Sequence, residues 1–177
     1  MTFRETAIPG SYIINIERYA DDRGFFARGY CEREFKNQGI TFNIVQANIG
    51  YSKNKYTLRG LHYQVEPHRE AKLVRCTKGG LFDVIVDLRT ESPTYKEWVG
   101  VELTEKNHTM FYVPEGCAHG YQTLEDNTEV FYMVSSFYAP DYERGIRWDD
   151  PTFNIEWVET DDKIISDKDR QWPDYEV

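Results

Sequence analysis

Four histidines are spread through this 177-residue chain, and two of them sit in settings that suit proton transfer. His62 lies in Thr57-Leu58-Arg59-Gly60-Leu61-His62-Tyr63-Gln64, and His119 in Pro114-Glu115-Gly116-Cys117-Ala118-His119-Gly120. An imidazole titrates near neutral pH, which makes it the natural base for a weakly acidic proton. Removing a C–H beside a ketone needs two further groups. A cation or fixed donor must hold the enolate oxygen, and an acid on the opposite face must return the proton. Lys72 and Tyr132 are of those types and fall on two other expected strands. A base imidazole also needs an orienting carboxylate, and Asp83, Asp87 and Asp169 all qualify by type. Taken singly, each residue has a plainer reading: a satisfied polar histidine, a solvated strand lysine, one tyrosine among 13.

Metal chemistry is the competing use of the same histidines. Metal-binding cupins carry a His-x-His pair with a downstream Glu, and a third His after Pro-x-Gly-x-x. The Pro114-x-Gly116-x-x-His119 piece is present, but Gln64 stands where the second His of the pair would be. Two imidazoles without a third ligand at strand spacing make a weak transition-metal site. No metal is therefore expected.

These groups lie on short apolar or alternating runs separated by turn signals. Strands are expected at 11–19, 42–50, 56–64, 71–76, 81–89, 97–104, 109–115, 119–125 and 128–138, with turns such as Lys78-Gly79-Gly80 and Asp126-Asn127 between them. Aromatic residues reach 15%, which favours strands. Helix is expected only at Glu32–Gln38 and in a short turn near Ser166–Arg170. The pattern predicts an all-β sandwich or barrel in a single domain spanning 1–177. The run Asp83-Val84-Ile85-Val86-Asp87-Leu88-Arg89 is apolar on both faces, so it should be covered on both, by a second sheet or a second subunit.

The net charge of −9 disfavours nucleic acid as a partner, although a few Arg and Lys can still line one anionic pocket. Three cysteines, none in a C-x-x-C pair, read as reduced thiols. The N-terminal residues carry no basic, apolar leader pattern, and no apolar run approaches the ~18 residues a membrane span needs. A cytoplasmic location is expected.

Taken together, the motifs resemble the dTDP-4-dehydrorhamnose 3,5-epimerase family across almost the whole chain. The matching blocks are Asp22-Arg23-Gly24-Phe25-Phe26, Gln46-x-Asn48, LRGLHYQ (58–64), KLVRC (72–76), DVIVDLR (83–89), VPEGCAHGYQTL (113–124), Tyr132, FYAP (137–140), GIRWDDP (145–151) and Ile165-Ser166-Asp167-Lys168-Asp169. The resemblance implies a cupin-like jelly-roll β-barrel with few short helices, dimeric and cofactor-free. It also implies action on a nucleotide-bound 4-keto-6-deoxy sugar, with inversion at C3 and C5.

By the same resemblance His62 is the base, Asp169 its partner carboxylate, Tyr132 the acid and Lys72 the group near the enolate oxygen. Arg59 and Arg23 contact the diphosphate, with Arg23 donated by the neighbouring subunit. Gln46, Asn48, His119 and Lys168 line the pocket, and Tyr138 and Phe25 pack on the nucleotide. The chain departs from the family pattern at Met133, usually Lys, at Tyr56, commonly Gly, at Phe137, and at His68-Arg69-Glu70-Ala71, where Gln-Gly is common. Met133 and Tyr56 motivate an alternative, a mono-epimerase on a dTDP- or CDP-linked sugar. A non-catalytic sugar-nucleotide binder is the alternative from a different class.

Overall fold

The computed structural model describes residues 1–176, and the strands in it build two antiparallel sheets face to face. The first sheet runs in the order β1 (Thr2–Glu5), β2 (Tyr12–Asn15), β10 (Met110–Val113), β7 (Lys72–Lys78), β12 (Thr128–Val134), β5 (Gln46–Ser52). The second runs β13 (Glu143–Gly145), β6 (Thr57–Gln64), β11 (Cys117–Thr123), β8 (Gly80–Asp87), β9 (Trp98–Thr104), with a two-residue β14 (Ile164–Ile165) parallel to β6. A separate hairpin joins β3 (Arg18–Asp21) to β4 (Gly24–Ala27). The helices are α1 (Glu32–Asn37) and the single turn α2 (Asp167–Arg170). The architecture is the cupin-like jelly roll. Among the described residues no helix is long and apolar enough to cross a membrane.

Strand alternation sorts the apolar residues into three layers. Inward-facing Val74, Cys76, Leu81, Ile85, Leu103, Phe111, Val113, Tyr121 and Val130 fill the space between the sheets. The outer face of the first sheet, with Ile14, Leu73, Met110 and Tyr112, is covered by Phe35 of α1 and by Ile40 and Phe42. The outer face of the second, with Leu58, Leu61, Val84 and Val86, is covered by Ile146, Phe153, Trp157 and Ile165. The double apolar face of 83–89 therefore has its cover within its own chain. Val84 and Val86 meet the C-terminal segment, while Ile85 points into the barrel.

The expected strand at 11–19 divides into β2 and β3. β1 pairs with β2 along an edge where the segment Thr2–Glu5 shows no helix or strand periodicity. Both expected helical turns form, and Ser166 caps α2 by accepting the Asp169 N–H at 3.1 Å.

Candidate active site

The site forms at one end of the barrel, where inward positions change from apolar to polar. On β12, Val130, Tyr132 and Val134 share the inner face, and on β7, Lys72 stands on the same face as Val74. Tyr132 pairs with Asn48 of β5, and His62 of β6 pairs with His119 of β11. The two glycines Gly60 and Gly120 bring β6 and β11 unusually close. A Cβ on Gly60 would lie 2.5 Å from the Gly120 Cα, and Gly60 has φ +121.

Two cavities of about 310 and 380 Å³ meet at this end. Three residues line both: His62, Lys72 and Tyr132. The first cavity adds Gln46, Asn48, Glu70, Tyr138 and Glu143; the second adds Arg59, His119, Lys168 and Asp169. Combined, they are in the range of a small-molecule site.

Each of the three aspartates open by type has its own partner. Asp169 takes His62, with Nε2 to Oδ1 at 2.6 Å, and its Oδ2 accepts the Gly60 N–H at 3.3 Å. Asp83 takes His119 at 2.7 Å. Asp87 is held by Arg89, Ser92 and Thr94. Burial works to raise the Asp169 carboxyl, but the hydrogen bonds from His62 and Gly60 outweigh it and hold the group below the usual carboxylate value. With Nε2 engaged, Nδ1 is the imidazole nitrogen left for a substrate. Tyr132 is shifted the other way: burial and the charge of Glu70 push its phenol up, against the pull of Arg59. Its proton is thus retained well above neutral pH.

Lys72 is nearly buried, and its ammonium lies 3.1 Å from Glu70 Oε1. Glu143 Oε2 accepts from the Tyr138 hydroxyl at 2.8 Å and from Lys168 Nζ at 2.6 Å. Burial tends to raise the Glu143 carboxyl, yet these two donors bring it below its ordinary value. Gln46 Oε1 accepts the Tyr138 N–H at 2.7 Å, so Tyr138 is pinned at the mouth although its ring is exposed. Arg59 is aimed by Ser52 Oγ and the Tyr51 carbonyl at 3.1 and 3.0 Å.

Gln64 is a strut. Its amide donates to the His68 and Phe137 carbonyls and accepts the Ala139 N–H at 2.6 Å, tying β6 to the 137–139 segment. That use explains an amide where a metal site would want an imidazole.

Arg23 and Phe25 stand apart. Arg23 sits at the tip of the β3–β4 hairpin, fully exposed and paired with Asp21 at 2.5 Å, and Phe25 packs on His108 and under Arg18. Neither lines the cavities of its own chain. Glu70 and Glu143 were not foreseen as site residues. Glu143 has no sequence signal, whereas Glu70 lies in a segment that departs from the family pattern. Met133 and Tyr56 line neither cavity. Met133 points to the outer layer beside Leu73 and Phe42, because it follows the inward Tyr132 on a strand. Tyr56 is a turn residue at φ 61 with the Lys55 ammonium over its ring.

A jelly roll holding a His–Asp pair, a lysine and a protonated phenol around one opening is a cupin equipped for proton transfer. The family model described as dTDP-4-dehydrorhamnose 3,5-epimerase matches residues 5–176. The enzyme of that name from Methanothermobacter thermautotrophicus is 45% identical over 96% of this chain and 92% of its own length. The crystal structure of the Bacillus anthracis enzyme with TDP and pyrophosphate bound superposes with a TM-score of 0.93, at 40% identity, covering 97% of this chain and 98% of that one. The Legionella pneumophila enzyme in complex with dTDP-4-keto-L-rhamnose gives 0.89 at 37% identity, covering 95% and 89%. The chain belongs to the dTDP-4-dehydrorhamnose 3,5-epimerase family.

Proposed function

We propose that this protein epimerises dTDP-4-keto-6-deoxyglucose at C3 and C5, giving dTDP-4-keto-L-rhamnose, with no cofactor. The observation that carries the reading is the seam of the two cavities, lined by His62, Lys72 and Tyr132 alone. His62 Nδ1 takes the proton from the carbon beside the ketone. The C–H electron pair moves into the enolate, whose oxygen faces the Lys72 ammonium. Tyr132 returns a proton to the same carbon from the other face, so the configuration inverts and the composition does not change. Proton exchange with water then resets the imidazole and the phenol. Asp169 holds the imidazole in one tautomer and stabilises the imidazolium.

Arg59 and Lys168 suit the diphosphate, and Arg59 in particular can meet two phosphate oxygens with its fork. Gln46, Asn48 and His119 supply hydrogen bonds to the sugar, and Tyr138 packs on the nucleotide. We also infer a homodimer in which the β3–β4 hairpin reaches the partner's opening, adding Arg23 and Phe25. The hairpin supports this: it exposes Tyr19 and Phe26 at 63% and 69% and spends nothing on its own cavity. β5 leaves a free sheet edge beside the site. Three unpaired thiols suit the cytoplasm.

Proton NMR in D₂O with dTDP-4-keto-6-deoxyglucose tests the reading. Loss of both the C3 and C5 proton signals is expected. Loss of one alone makes the protein a mono-epimerase, and loss of neither refutes turnover of this substrate.

A further inference from the structure

We propose that Glu70 is a positioning residue of this site: it holds the Lys72 ammonium in the cavity wall and sets a negative charge beside the Tyr132 phenol. The inference rests on the epimerase reading above and adds a group to it.

Lys72 is 7% exposed, and a cation that far from water needs a counter-charge. Among the described residues, Glu70 is the carboxylate in ion-pair contact with it, at 3.1 Å. Both side chains are nearly buried, at 9% and 13%. Glu70 stands just before β7, two residues from Lys72, so strand alternation turns both toward the barrel's open end. It lines the same cavity as His62, Tyr132 and Glu143.

A lysine stem has four rotatable carbons, so the ammonium keeps one place only when something fixes it. An ammonium has three donors. One to Glu70 leaves others for a ketone oxygen that turns into an enolate. Glu143, the other carboxylate of this cavity, is already engaged by Lys168 and Tyr138. Glu70 is therefore free to serve Lys72 and Tyr132.

Several charged or titratable groups line the two cavities with Tyr132. Besides Glu70, they are Lys72 from β7, Arg59, His62 and Tyr63 from β6, His119 and Tyr121 from β11, Tyr138 from the segment after β12, Glu143 from β13, and Lys168 and Asp169 from α2. Glu70 is the acidic member that raises the Tyr132 phenol, and Arg59 the basic member that opposes it. Without the Glu70 charge, Tyr132 should lose its proton at lower pH.

Glu70→Gln, with Glu70→Asp as the charge-keeping control, tests this on the full-length protein. In Glu70→Gln, kcat should fall about 10- to 100-fold, the cost of a misplaced group, while KM for the anionic substrate stays level or drops. The basic limb of the kcat–pH profile should move to lower pH. Glu70→Asp should keep the limb where it is in the unmodified protein. A Glu70→Gln protein with unchanged kcat and limb overturns the proposal, as does a Glu70→Asp limb that moves with it.

A second readout needs no substrate. ¹³C NMR of ring-labelled tyrosine, with the Tyr132 signal assigned through Tyr132→Phe, should show the phenol titrating at lower pH in Glu70→Gln than in the unmodified protein. An unmoved Tyr132 overturns the proposal even in a protein that folds normally. If the unmodified protein leaves both sugar protons in place in D₂O, the epimerase reading fails on its own, while the Tyr132 titration still decides whether Glu70 sets that charge.

Discussion

Replacing Asp169 with Asn changes one oxygen to NH₂ and should nearly stop the enzyme. The carboxylate has two jobs, one per oxygen: Oδ1 meets His62 Nε2 at 2.6 Å, and Oδ2 accepts the buried Gly60 N–H at 3.3 Å. An amide can do only one of them. With its oxygen toward His62, its NH₂ faces the Gly60 N–H, and two donors oppose each other. With its oxygen toward Gly60, its NH₂ donates to Nε2 and drives the imidazole proton to Nδ1, the nitrogen that must act as base. The first arrangement leaves a buried donor unmet, about 1–3 kcal/mol, and either forfeits a charge-assisted bond of about 1.5–3 kcal/mol. In the first arrangement these come to roughly 2.5–6 kcal/mol, or about 10²–10⁴ in rate; in the second, the lost bond alone is worth about 10- to 100-fold, and the base nitrogen is protonated besides. The span matches what a general base contributes.

The assay is single-turnover deuterium incorporation from D₂O, followed by NMR, alongside equilibrium binding of dTDP. Incorporation should collapse at both carbons while dTDP binding changes little. If the Asp169→Asn protein exchanges within about threefold of the unmodified rate, a loss far smaller than a misoriented base implies, the dyad is refuted.

Other outcomes follow from the same structure. Tyr132→Phe should keep deuterium exchange but lose inversion, read by comparing label uptake with product formed; equal loss of both removes Tyr132 as the returning acid. The Asp169 carboxyl has a folded pKa below its unfolded one, so its stabilisation is whole above about pH 4 and fades as pH falls through the lower folded value. The melting-temperature gap between the unmodified protein and Asp169→Asn should therefore be full at pH 7 and close on acidification below about pH 4. Burial pushes the thiols of Cys76 and Cys117 up to about 11 and about 12, whereas Cys31 is half-buried. One thiol should react with a disulfide reagent at about pH 8 in the native protein, and all three after denaturation. Gly60→Ala forces a methyl into the Gly120 backbone and should cost about 1–3 kcal/mol, seen as a lower melting temperature, with His62 activity falling further.

Much of this was readable from the chain because alternation carries it. The β6, β8, β11 and β12 runs appear as strands within a few residues of their bounds. Residue type and spacing alone left Asp83, Asp87 and Asp169 open, and only the resemblance pointed to Asp169. Each is a carboxylate in the right kind of segment, and only the sheet order decides that Asp83 meets His119 while Asp169 arrives from 107 residues away. The β3–β4 hairpin was hidden because Tyr19, Phe25 and Phe26 look like core residues, yet they are exposed. Met133 adjoins Tyr132 in sequence, but a strand sends neighbours to opposite faces, so Met133 lies outside both cavities.

Asp169 follows, in chain order, every barrel strand and the segment that wraps the second sheet. During translation the strands through β12 leave the ribosome well before α2 does. His62, Lys72 and Tyr132 all precede α2 in the chain, so Asp169 is the last of the four to be made. The His62–Asp169 pair can therefore close only after synthesis has run through α2 and that turn has folded back along β6.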